Sequence, residues 1–144
     1  MNLVNSTSNA NVYQVKRVLD PVYKELIANG NTRSFITAKL KQSVYQLGKK
    51  LGYKVEENYK VDYQNRDGDV IQGRADIVWY DEDGNVVLVI EVDNSVREKS
   101  IKKLNNCTKG ERLWVYYGKK FSKAKETIEG IDIDDEINVI YLQV

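Results

Sequence analysis

The chain has 144 residues, 42% of them hydrophobic and 30% charged, with a formal net charge of +1, which suits one domain with a core and gives no strong overall attraction to polyanions. It contains no histidine and a single cysteine, Cys107, which excludes Ser-His-Asp and Cys-His catalysis, His-ligated or multi-cysteine zinc and an internal disulfide. No apolar run reaches the length of a membrane span and "MNLVNSTSNANVY" lacks the order of a signal peptide, so a cytoplasmic protein is expected.

Val12, Val15, Val18, Leu19, Val22 and Leu26 recur at helical spacing, and Pro21 behind Asp20 predicts two short helices or a kinked one ending near Gly30. "SFITAKLKQSVYQLGKK" predicts a second helix, capped by Ser34, with Ile36, Leu40, Val44, Leu47 and Leu51 inward and Gly52 as its stop. The period then changes to two. In "YKVEENYKVDY", Tyr53, Val55, Tyr59, Val61 and Tyr63 take one face of a strand and Lys54, Glu56, Asn58, Lys60 and Asp62 the other. Turns at Asp67-Gly68 and Asp83-Gly84 join it to "VIQGRADIVWY" and "NVVLVIEVD" in an antiparallel meander. Ser95 and Glu98 have capping-box spacing ahead of a helix with Ile101 and Leu104 inward. "RLWVYYG" reads as a fourth strand, "SKAKETIEG" as a short helix capped by Ser122, and "INVIYLQV" as a fifth strand. The predicted architecture is an α/β (α+β) domain, a central mixed sheet of about five strands flanked by helices, with the core over residues 34–144 and a helical extension over 1–33.

Glu91 and Asp93 follow an apolar run that is expected to be buried, and an unpaired buried charge is costly. With a two-residue turn at Asp83-Gly84, Asp76 faces Glu91 and Arg74 faces Asp93, where a cross-strand ion pair would neutralise the second acid. Two carboxylates directly opposite destabilise a sheet unless a cation lies between them. An even loop at Asp67-Gly68 would add Glu57, opposite Val78 and diagonal to Asp76. Such oxygens suit a hard divalent ion, magnesium or manganese, which polarises a phosphodiester and lowers the pKa of an attacking water. A network of ion pairs with nearby Arg and Lys accounts for the same residues, and the residue pattern leaves both readings open.

"GRADIVWYDEDGNVVLVIEVDNS", set in an order of helix, three strands, helix and strand, resembles the PD-(D/E)xK nuclease superfamily over about Phe35 to Gly118. The resemblance implies a restriction-endonuclease-like core, with Asp76 and Glu91 as metal-binding acids, the Val92 carbonyl as a further ligand and Mg2+ as cofactor. It also implies hydrolysis of DNA in preference to RNA, of a resolvase, repair or restriction kind, by a chain that often works as a homodimer. The "EVD" ending is similar to the very-short-patch repair endonuclease-like branch. Two positions depart from the pattern. Asp93 stands where the lysine is usual, leaving Lys99 or Arg97 on the following helix to supply a cation, and the first core helix has no acid, leaving Glu25 or Glu57 as substitutes. The alternative on the same fold is a catalytically inactive module that binds nucleic acid or a protein.

Lys39, Lys41, Lys49 and Lys50, then Lys99, Lys102 and Lys103, then Arg112, Lys119, Lys120, Lys123 and Lys125 offer phosphate-tracking surfaces, although a charge run is more often a solvated face. The tyrosines of the strands alternate as core residues do.

Overall fold

The computed structural model describes all residues, 1–144. The chain forms β1 (Asn2–Leu3), α1 (Ala10–Ala28), α2 (Arg33–Lys50), β2 (Lys54–Gln64), β3 (Val70–Tyr80), β4 (Val86–Asp93), α3 (Glu98–Asn106), β5 (Glu111–Tyr116), α4 (Phe121–Ile131) and β6 (Ile137–Tyr141). The strands make one mixed sheet of six in the order β1-β6-β5-β4-β3-β2. The expectation of about five strands missed β1, two residues long and parallel to the end of β6. β2, β3 and β4 are antiparallel neighbours, whereas β4, β5 and β6 run parallel. The parallel strands are joined through α3 and α4, as parallel neighbours require.

Each face of the sheet buries its own apolar cluster. On one face α1 and α2 close over Ile77, Trp79, Leu88, Ile90 and Val92. On the other α3 and α4 close over Val78, Val89, Trp114 and Val139. The stretch 1–33, expected as an extension beside the core, supplies a strand of the sheet and Val12, Val15, Leu19, Tyr23 and Leu26 of the first cluster.

Local punctuation differs from the sequence reading where tertiary packing outweighs it. α1 runs unbroken through Pro21, and Asp20 is paired with Lys16 instead of capping a second helix. Five buried positions along one side hold the helix together despite the missing proline N–H. Thr32 rather than Ser34 caps α2, accepting from the Phe35 N–H, and Gly52 follows the helix end at a φ of 91°. Ser95 and Ser122 do not cap α3 and α4, which begin after Arg97 and Lys120 without a side-chain cap. The expected facing set of β2 is divided too. Val55 joins the first cluster, whereas Val61 and Tyr59 pack on the second. The switch falls at Asn58, whose φ of 58° interrupts the alternation.

Gly48 records how closely α2 approaches the sheet. A Cβ there would lie 2.5 Å from Trp79 Nε1 and 2.7 Å from Val55 Cγ2. Trp79 is fully buried. Gly48→Ala is therefore expected to lower stability by about 1–2 kcal/mol, overpacking outweighing alanine's better helix propensity. Urea unfolding should show a lower midpoint with an unchanged slope.

Candidate functional site

β3 and β4 pair from Tyr80/Val86 at the turn to Ile77/Ile90, and no further toward Asp76. The turn is not the expected two-residue one: Asp81 brackets it, its Oδ1 accepting from the N–H groups of Asp83 and Asn85. A bulge beside Tyr80 restores the register that places Asp76 at the level of Glu91. Beyond Ile77 the strands part, and in β3 the switch from Ala75 on the second cluster to Ile77 on the first leaves Asp76 between the two cores. Asp76 and Asn58 are the one interruption in the otherwise continuous β2/β3 register.

In the gap, Asp76 Oδ2 accepts from the Val92 N–H at 2.8 Å, and Oδ1 lies 3.1 Å from the Lys41 ammonium of α2. The Val92 carbonyl points to the same strand edge as its N–H, so it too faces the gap. Glu91 projects toward α3 and is 3% exposed. Its Oε1 is 2.8 Å from the Lys103 ammonium, which also donates to the Arg74 carbonyl at 2.7 Å. Burial pushes the Glu91 carboxyl up to about 8, the charge of Asp76 adds to the rise, and Lys103 pulls against both. Gly73 makes room for the lysine stem: a Cβ there would sit 2.8 Å from Lys103 Cδ.

Asp76, Glu91, Val92, Lys99 and Arg97, the residues singled out in the sequence, line one polar cleft of about 230 Å³, together with Thr37, Lys41, Asp93, Ser100 and Lys103. Glu57 is not among them. The β2–β3 loop, closed between Asn65 and Asp69, has odd length, so Glu57 faces Ile77 rather than Val78 and lies exposed in a separate groove against α2. Glu25 is exposed on α1 and also lies outside the cleft. Asp93 is not paired with Arg74, which is exposed and reaches the Asn58 carbonyl. It accepts instead from Trp114 Nε1 at 2.9 Å, with Arg97 3.9 Å away, and burial raises its pKa. Lys99 and Arg97 are exposed at the mouth, so the cation in contact with Glu91 is Lys103.

Lys103 was visible in sequence only as one of a basic run, yet Ser100, Ile101, Lys103 and Leu104 share the buried side of α3. Spacing of three and four from Ser100 is the signal that separates it from exposed Lys99. No group of three or more Asp, Glu, His or Cys side chains is placed to hold one metal ion. Of the three carboxylates lining the cleft, Asp93 is bound to Trp114; Asp76, Glu91 and the Val92 carbonyl make a set that fits magnesium, which binds through one or two carboxylates and keeps several waters. No helix is long and apolar enough to cross a membrane. Compared with family models, curated proteins and solved structures, the chain matches none.

Proposed function

We propose that the chain is a metal-dependent nuclease that hydrolyses phosphodiester bonds in DNA, and that its mixed sheet with flanking helices is a restriction-endonuclease-like core. The observation that carries this reading is the parting of β3 and β4, where Asp76 and Glu91 enter one cleft with the Val92 backbone, Lys41 and Lys103. Asp76, Glu91 and the Val92 carbonyl would hold magnesium or manganese, which when bound polarises a phosphoryl oxygen and acidifies a water. The Val92 N–H fixes the orientation of Asp76. Lys41 and Lys103 keep positive charge beside both acids, suited to the non-bridging oxygens of a phosphodiester. Arg97 and Lys99, at the mouth, suit the flanking phosphates.

A second reading, an inactive nuclease-fold module that binds nucleic acid or a protein, draws on one observation: Asp93, in the position usual for lysine, is buried and bound to Trp114. Incubation with supercoiled, linear, branched and single-stranded DNA, with magnesium, manganese or EDTA, separates the two. Cleavage in either metal and none in EDTA is expected. Binding without cleavage in any metal would support the inactive module.

A further inference from the structure

Beside the cleft, across the loop that carries Asn94, lies a larger groove of about 790 Å³ at the carboxyl ends of β5 and β6. Arg33 enters it from α2, Lys119 and Lys120 from the β5–α4 loop, and Lys123 from α4. All four are exposed, and none has a carboxylate within ion-pair distance. No aspartate or glutamate lines the groove. In a chain of net charge +1, with 21 acidic residues, this is a local excess of positively charged side chains. Half of the lining is apolar, including Ile27, 36% exposed, and the half-buried Val96 and Tyr141.

Charge and apolar surface together select the occupant. A duplex presents phosphates and sugars outward and keeps its base faces stacked inside, so it would satisfy the cations and leave the apolar wall uncovered. An unpaired strand offers both phosphates and exposed base faces. Asn94 lines the groove and the cleft alike, so the two adjoin. We infer that this groove binds a single-stranded segment of nucleic acid that continues into the Asp76–Glu91 cleft. The inference rests on the proposed nuclease reading for its direction into the cleft, but the binding itself needs no hydrolysis. It makes junctions between paired and unpaired DNA the preferred substrates.

The test is fluorescence anisotropy in EDTA with a labelled single-stranded oligonucleotide, a blunt duplex of the same length, and a duplex carrying a single-stranded tail. The single strand and the tailed duplex are expected to bind more tightly than the blunt duplex. Four phosphate contacts give a slope of log affinity against log salt near about −3 on a single strand. The combined variant R33A/K119A/K120A/K123A should lose at least about tenfold in single-strand affinity and flatten that slope. K24A/K54A/K60A/K109A removes the same charge from exposed positions outside the groove and should retain most of the affinity. Equal loss in the two variants, preference for the blunt duplex, or no binding to any of the probes overturns the inference. Single-strand binding without cleavage in any metal leaves the groove standing and removes the nuclease reading. Cleavage with wild-type efficiency by the groove variant does the reverse.

Discussion

Glu91→Gln is expected to abolish the proposed metal-dependent hydrolysis while making the protein more resistant to unfolding at alkaline pH. The loss of activity follows from the donor set: one of the two carboxylates proposed to hold the metal becomes a neutral amide. Altering residues that merely support metal ligands costs about 10–100-fold, so removing a ligand's charge should cost at least about 10²-fold. The gain in stability follows from burial. The Glu91 carboxyl is raised from 4.5 to about 8, first by desolvation and then by Asp76. Between those values the folded state holds a proton that the unfolded chain has released. The corresponding stability is full below 4.5 and is lost as pH rises through about 8. Glutamine keeps the shape and cannot ionise, so a loss on the order of a few kcal/mol disappears from the variant. Thermal melts across this range should diverge as pH rises, with the variant several degrees more stable at the alkaline end. Asp93, also raised by burial, contributes a slope of the same sign to both proteins. Parallel curves would mean that Glu91 is ionised throughout and that its contact with Lys103 is a permanent ion pair. Asp76→Ala should share the loss of hydrolysis and lower the Glu91 carboxyl, because a neighbouring charge that raises it is gone.

The cleft was legible in sequence where it depended on local alternation and on like charges brought to one level. An apolar run ending in "IEVD" behind a hairpin suffices to place Glu91 near Asp76. The route was different, because a longer turn and a bulge together restored the register that the two-residue turn had implied. The same reasoning failed at Glu57, where one residue of loop length decides which partner a strand residue faces. It also failed for the face of β2, because the sequence does not announce that Asn58 takes a left-handed conformation. Charge partners were the least legible part. Asp93 had been expected to meet Arg74 across the sheet, but the divergence that opens the cleft also separates those positions, and a buried indole supplies the partner. Lys41 and Lys103 reach the acids from helices on opposite faces of the sheet, an arrangement fixed only when both layers have packed.

Lys103→Met should isolate what its cation does, because methionine keeps an unbranched stem of similar reach. Two contacts are lost at once: the ammonium beside Glu91 and the donor to the Arg74 carbonyl. Breaking a buried ion pair costs about 3–5 kcal/mol when the remaining charge has no escape. Glu91 has one, since it can take a proton. At acidic pH the variant should therefore lose only the Arg74 hydrogen bond, about 1 kcal/mol. The gap should widen above about pH 8, where wild-type Glu91 ionises against Lys103 and the variant's carboxyl resists ionisation. That direction is opposite to the effect of Glu91→Gln, and in the double variant E91Q/K103M the widening should vanish because no ionising carboxyl remains. Hydrolysis gives a second, independent measure. If Lys103 supplies the cation beside the scissile phosphate, K103M should lose about 10²-fold or more while Lys99→Met, on the exposed side of the same helix, loses much less. The reverse ranking would move the reacting phosphate to the mouth of the cleft, and Lys103 would then serve only to neutralise a buried glutamate.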